Sequence, residues 1–177
     1  MNNSSEDWAE KWGYDQIDEV GVLCGLNIDS FSFSEQTENK NVQPFDPVSD
    51  LEDCVNVLVS KFGLPEADVK NFTLSLFTSP QTLAYYVVRE KNNNIATGAI
   101  RRNQIVSNIG ILSAMHDTGI DHLKSLLTKI LRVARKHGIK KLLMFFTHLR
   151  NGNPIIEKYI ALGFSLLTSN IIFEKQI

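Results

Sequence analysis

Residues 115–121, "MHDTGID", carry an apolar run into a segment whose apolar side chains recur at helical spacing. A strand that ends in such a loop and passes at once into a helix aims backbone N–H groups and the positive helix end at one point, which makes a cradle for an anion. Gly119 lacks the Cβ that would keep a ligand off the backbone there. Asp117 and Asp121 support a second reading, in which their carboxylates cap the helix with no ligand at all. Downstream, Tyr159 shares an apolar helical stripe with Ile155, Ile156 and Leu162. Its ring can pack, and its phenol is a proton donor. His148 follows the run "FFT" and is either a base titrating near neutrality or a surface residue. The histidines at 116, 122, 137 and 148 show no ligand spacing, and Cys24 and Cys54 are the only cysteines. No metal site and no disulfide framework is expected, and the cysteine usage suits a reducing, cytoplasmic setting.

The elements around these residues can be read from period and punctuation. The start "MNNSSEDWAEKW" is polar and unlike a signal peptide, and no apolar run is long enough to cross a bilayer, so no membrane is expected as a partner. Residues 1–18 are read as a polar arm and 19–34 as a first strand, followed by a polar loop to residue 44. Ser49 and Glu52 have capping-box spacing ahead of a helix with Leu51, Val55, Leu58, Val59 and Phe62 on one face. Pro65 opens a second helix, for which Val69, Phe72, Leu76 and Phe77 are read as inward. Three strand-like runs follow, "LAYYVVRE", "NIATGAIRR" and "IVSNIGILSAM", with hairpin turns at "KNNN" and "RNQ". A helix over 121–137 then presents Leu123, Leu126, Leu127, Ile130, Leu131 and Ala134, and stops at Gly138. A buried strand "IKKLLMFFT", a short helix ended by Gly163 and a last strand or strand pair complete the order.

The formal net charge of −2 conceals two unlike halves. Residues 1–80 carry 4 Lys/Arg against 15 Asp/Glu, and residues 81–177 carry 14 against 5. A basic half attracts polyanions, or else it faces the acidic half in the folded chain. The aromatics of the basic half read as buried, which counts against stacking on bases and against nucleic acid as the partner.

Three stretches carry a resemblance to the GNAT superfamily of acyl-CoA-dependent N-acyltransferases. "FGLPEADVKNFTLSLFTSPQTLAYYVVREKNNNIATGAI" looks like the family's paired helices and first hairpin. "ILSAMHDTGIDHLKSLLTKILRVARKHGIKKLLMFF" looks like its fourth strand, cofactor loop, long helix and fifth strand, and "IIEKYIALGF" resembles its closing "lYeklGF" element. The resemblance implies an α+β fold, a mixed and mostly antiparallel sheet of six or seven strands with helices on both faces, as a single domain over 19–177. It also implies acetyl-CoA as cofactor and an amine as acceptor, and the acidic first half suits a cationic acceptor. Ser113, Ala114 and Met115 would lie along the pantetheine arm, and Thr118, Gly119 and Ile120 would hold the pyrophosphate. Tyr159 would protonate the departing thiolate, and His148 falls near the acceptor's place. The family loop reads R/Q-x-x-G-x-G/A. Here His116 stands at its first position and Asp121 at its last, beside the phosphates. Where the family has Asn seven residues before its tyrosine, this chain has Gly152 between Asn151 and Asn153, and residues 95–115 hold no carboxylate to serve as base. The alternative is a non-catalytic protein on the same fold that works through a protein partner. "FFTHLRN" leading into "IIEKYIALGF" is similar in pattern to ornithine decarboxylase antizyme, which has this architecture without acetyl transfer.

Overall fold

A computed structural model describes residues 14–31, 41–62, 64–90, 93–116, 119–149 and 155–175. The strands are β1 (Tyr14–Asn27), β2 (Val42–Pro44), β3 (Thr82–Glu90), β4 (Asn93–Arg102), β5 (Ile109–His116), β6 (Lys141–Leu149) and β7 (Ser165–Lys175). The helices are α1 (Pro47–Phe62), α2 (Glu66–Thr78), α3 (Ile120–Lys136) and α4 (Ile155–Ala161). The seven strands hydrogen-bond in the order β2-β3-β4-β5-β6-β1-β7. The pairs β2/β3, β3/β4, β4/β5 and β1/β7 are antiparallel. At the start of β5 the Asn108 carbonyl accepts from the N–H groups of Lys140 and Lys141, so β5 and β6 begin side by side and run parallel, joined through α3. The sheet is therefore mixed and mostly antiparallel, as expected, with seven strands.

The chain divides into two compact units, Met1–Gly25 with Met144–Ile177, and Leu26–Leu143. In the larger unit, Phe45, Cys54, Val55, Leu58, Val69, Leu76, Tyr85, Val87 and Ala99 form one core between α1, α2 and the sheet. The alternate residues Val88 and Ile100 are buried as well, and α3 lies against β3 and β4. Two-sided burial of these strands places helices on both faces. On α3 every residue of the expected stripe, from Leu123 to Ala134, is fully buried. That helix ends in a Schellman motif: Ile139 N–H donates to Ala134 O and Gly138 N–H to Arg135 O, with Gly138 at φ 70°.

Several local expectations change. β1 begins at Tyr14 and ends at Asn27, short of residue 34, where a 3-10 turn at Ile28–Ser30 takes over. The loop expected to run to residue 44 ends in the short strand β2. The cap of α1 is not the Ser49/Glu52 pair. Asp46 Oδ1 accepts from Val48 N–H at 3.0 Å, and Asp50 Oδ2 returns the favour to Asp46 N–H at 2.8 Å, with Pro47 at the first helical position. Asp50 is itself buried and ion-paired with Arg89 of β3, which pins the helix start to the sheet. On α2 the buried stripe is Val69, Thr73 and Leu76; Phe72, 44% exposed, stands outside it, while Phe77, 42% exposed, sets its ring edge-on to the buried Phe45 at 5.5 Å between centroids. The third strand-like run loses residues 105–108 to a turn. The segment containing Trp8 and Trp12 lies outside the described residues.

Candidate functional site

The loop between β5 and α3 is shaped by what lies on each side of it. Ala99 pairs with Ser113 and Thr97 with His116, so two steps along β4 face three along β5. One extra residue is accommodated at Ala114–Met115 of β5. Such a β-bulge leaves backbone groups out of the ladder and turns the strand. Tyr85, Ala99 and Ser113 are directly paired across three strands, so the half-buried Ser113 stands on the same face as Tyr85, the face that α1 covers. The bulge was not legible in the sequence, because it exists only in the register between two strands.

At the other end of the loop, Gly119 is the N-cap of α3. Its backbone is extended (φ −173°, ψ 156°), a conformation open to any residue, and as a glycine it supplies no side-chain cap. The first bond of the helix is Leu123 N–H to Gly119 O. The N–H groups of Ile120 and Asp121 precede it and have no partner among the described residues. A Cβ built on Gly119 would meet nothing nearer than His122 Nδ1 at 3.8 Å. Among the described residues, neither φ nor packing explains the glycine, and none of them fills the space beside these donors. Donors without partners beside a missing Cβ fit an anionic group that approaches the backbone.

Asp121 does not cap the helix. It lies in the first turn, exposed, and no hydrogen bond to its carboxylate is present among the described residues. Its charge favours the helix dipole and would repel an anion held by the same N–H groups. Ile120 is 42% exposed. Asp117 and Thr118 lie outside the described residues, as do the side chains of Ala114, Met115, His116 and His148, and so do Gly152 and its neighbours.

Tyr159 belongs to the smaller unit. It is 3% exposed, and its ring meets Phe164 edge-on at 5.5 Å between centroids. Phe164 N–H donates to Tyr159 O and Gly163 N–H to Ile160 O, with Gly163 at φ 91°. Tyr159 and Phe164 are thus the apolar pair that accompanies a second Schellman stop. Of the expected stripe, Tyr159 and Leu162 are buried and the side chains of Ile155 and Ile156 lie outside the described residues; packing accounts for the Tyr159 ring.

A buried polar cluster in the larger unit was not anticipated. Asn94 Nδ2 reaches Asp50 Oδ1 at 3.4 Å and Cys54 Sγ at 3.7 Å, and Cys54 Sγ lies 3.9 Å from Thr97 Oγ1. Burial, with the negative charges of Asp50 and Asp53 adding to it, pushes the Cys54 thiol up to about 12, even though hydrogen bonds from Thr97 and Asn94 act the other way. Burial also raises the Tyr85 hydroxyl well above its ordinary value. Both cysteines are free and buried. Among the described residues no group of His, Cys, Asp and Glu could hold a metal ion, and no helix is long and apolar enough to cross a membrane.

No protein-family model matches the chain, and no curated protein matches it. Solved structures do. A GCN5-related N-acetyltransferase from Sphaerobacter thermophilus aligns over 98% of this chain and 56% of its own length, with a TM-score of 0.70 at 16% identity. A GNAT-family acetyltransferase from Colwellia psychrerythraea aligns over 98% of this chain and 62% of its own length, with a TM-score of 0.65 at 15% identity. A tandem GNAT protein from the clavulanic acid biosynthesis pathway aligns over 98% and 58%, with a TM-score of 0.59 at 13% identity. The chain thus spans a little over half the length of these proteins. At such identities the likeness is one of architecture, and this chain has the fold of the GCN5-related N-acetyltransferases.

Proposed function

We propose that the protein is an N-acetyltransferase that moves an acetyl group from acetyl-CoA to an amine acceptor. The observation that carries this reading is the junction of the β5 bulge with the start of α3, where Gly119 has no Cβ and the N–H groups of Ile120 and Asp121 have no partner among the described residues. Acetyl-CoA would bring a thioester already activated for transfer to nitrogen. The chain's part is to hold and to orient. Backbone groups of Ser113, Ala114 and Met115 would pair with the amide-bearing arm, and a bulge N–H would polarise the carbonyl oxygen. Thr118 and the N–H groups of Gly119 and Ile120 would take the pyrophosphate. The amine nitrogen bonds to the carbonyl carbon, the C–S bond breaks, and the amine loses a proton. Tyr159 is assigned the donor of the proton that the thiolate takes up. No carboxylate stands in residues 95–115, so the amine proton is assigned to water or to His148.

The acidic first half, which supplies α1 and α2, suits a cationic acceptor such as a polyamine or a lysine side chain. The exposed Asp121 favours a second reading, a protein that keeps this fold and binds a partner without acetyl transfer. Incubation with acetyl-CoA and a panel of polyamines, lysine peptides and free N-terminal peptides separates the two. The proposal expects thiol release with a 42-dalton gain on one amine class, about the mass of an added acetyl group. No release from any amine, with no acetyl-CoA bound, would leave the partner-binding reading in its place.

A further inference from the structure

Arg101 stands apart from the other arginines of the larger unit. Arg89 pairs with Asp50, Arg102 Nη2 lies 3.5 Å from His137 Nδ1, Arg135 donates to the Ile28 carbonyl, and Arg132 has a partner too. Arg101 has none among the described residues, and its Nε is buried. The α1 carboxylates that reach the sheet are engaged elsewhere, Asp50 with Arg89 and Asp53 with the Asn94 N–H. A buried donor on a charged group is costly to leave unmade, so this one calls for an anionic partner.

The place of Arg101 in the sheet shows what that partner would lie beside. Arg101 is paired with Thr82 on β3 and with Ile111 on β5, and directly paired residues share a face. Thr82 Oγ1 donates to Leu76 O at 2.6 Å, which puts that face under α2. Alternation along β4 agrees, since Thr97 and Ala99 face α1. Ser113 is the diagonal neighbour of Arg101, roughly 7–8 Å away and within reach of a long side chain. Ile111 and Ser113 are only half-buried on this face, whereas Leu112, on the other, is 3% exposed. The strip from Arg101 along β5 is therefore open to solvent, and it leads to the bulge at Ala114–Met115.

We propose that Arg101 binds a carboxylate of the acetyl acceptor, which makes the acceptor a small amine with its own carboxylate, as in a free amino acid. The inference rests on the acetyltransferase reading and narrows its acceptor class. The Nε–H and an Nη–H form a planar fork that matches the two carboxylate oxygens. Held there, the molecule extends along the open strip and brings its amine to the bulge, where the thioester would lie. Its ammonium suits the acidic first half as well. A polyamine would instead press a second cation toward a guanidinium that no carboxylate neutralises.

The test compares each amino acid with the amine that its decarboxylation leaves: lysine with cadaverine, and phenylalanine with phenethylamine. In whichever pair accepts acetyl from acetyl-CoA, kcat/KM should favour the amino acid by about 10- to 100-fold, the range for a hydrogen bond to a charged group. Arg101→Met keeps the stem and removes the fork. It should erase that preference, through a raised KM for the amino acid, and melt no lower than the parent. Arg101→Lys, a point charge without the fork, should restore part of the preference, and it carries the comparison if the methionine variant melts lower. Calorimetry with lysine and with cadaverine, with and without CoA, reads binding apart from turnover. Transfer that ignores the carboxylate, or a preference that survives both substitutions, overturns the carboxylate site and leaves the acetyltransferase standing. Lysine binding that needs Arg101, with no transfer to any amine, keeps the site and removes the acetyltransferase. Neither binding nor transfer overturns both.

Discussion

Gly119 is the residue whose replacement would separate the proposed ligand binding from folding. Its φ of −173° and the open space at its Cβ mean that alanine fits the free protein without strain. Gly119→Ala should therefore melt with the parent, while acetyl-CoA affinity falls about tenfold or more, a loss of about 1.4 kcal/mol or greater. Equal affinity for both forms would show that no ligand approaches this backbone. Tyr159 poses the converse problem, because its ring already has a structural reason to be there, the contact with Phe164. Tyr159→Phe keeps that ring. Its melting point should stay close to the parent's, while acetyl transfer falls by up to about 100-fold, the low end for acid catalysis. Full turnover in a stable variant would remove the phenol from the chemistry. A large loss of stability would instead show that the hydroxyl is a buried structural partner.

At the scale of elements, α3 is the member that joins fold and site, since its buried stripe holds its N-terminus at the end of β5. Leu127 is fully buried, so Leu127→Asp places a carboxylate among Leu123, Ile130 and Leu131. Burying that side chain is worth about 1.5–3 kcal/mol, and the charge adds a further penalty. The variant should be unfolded or nearly so by circular dichroism, and an unchanged melt would refute the helix face. This helix was legible in the sequence because it is long, strictly periodic and ended by glycine. The loop composition and the glycine stops were legible for the same local reasons. What failed depended on partners distant in sequence. Hydrophobicity assigns Phe72 inward, yet Thr73 takes the core position, and Phe77 reaches the core only at its edge, against Phe45. Ser49 has the spacing of a cap, but the Asp46–Pro47 pair just upstream competes for the role and wins through the Asp46–Asp50 exchange of hydrogen bonds. The bulge in β5 has no local signal, since it appears only when Ala99 and Thr97 fix which residues of β5 they face. Of the candidate site, Gly119 and the helix start were readable. That Asp121 is no cap was not, because two acidic residues flank the same helix end in sequence.

At the scale of the whole molecule, burial of thiols and phenols sets an alkaline limit. Cys54 is raised to about 12 from an ordinary 9.0, and Cys24, Tyr85 and Tyr86 are raised as well. A raised folded-state value means that the unfolded chain gives up its proton first. The contribution of Cys54 to stability is whole below about pH 9 and is lost as pH climbs toward 12, at about 1.4 kcal/mol per unit while only the unfolded thiol ionises. The urea midpoint should therefore decline steadily above about pH 9, and a midpoint flat to pH 11 would mean that the thiol is not buried. The acidic and basic halves of the chain meet at the same question as the loop, whether an anion binds next to Asp121. Calorimetric titration of the full chain with acetyl-CoA, beside Asp121→Gly, answers it most directly. A like charge about 6 Å from a phosphate at an effective dielectric near 20 costs roughly 2–3 kcal/mol before screening. The account predicts saturable one-to-one binding by the parent and at least about a tenfold tighter complex in the glycine variant. Absence of binding by both proteins, with both folded, would contradict the cofactor site and with it the acetyltransferase reading.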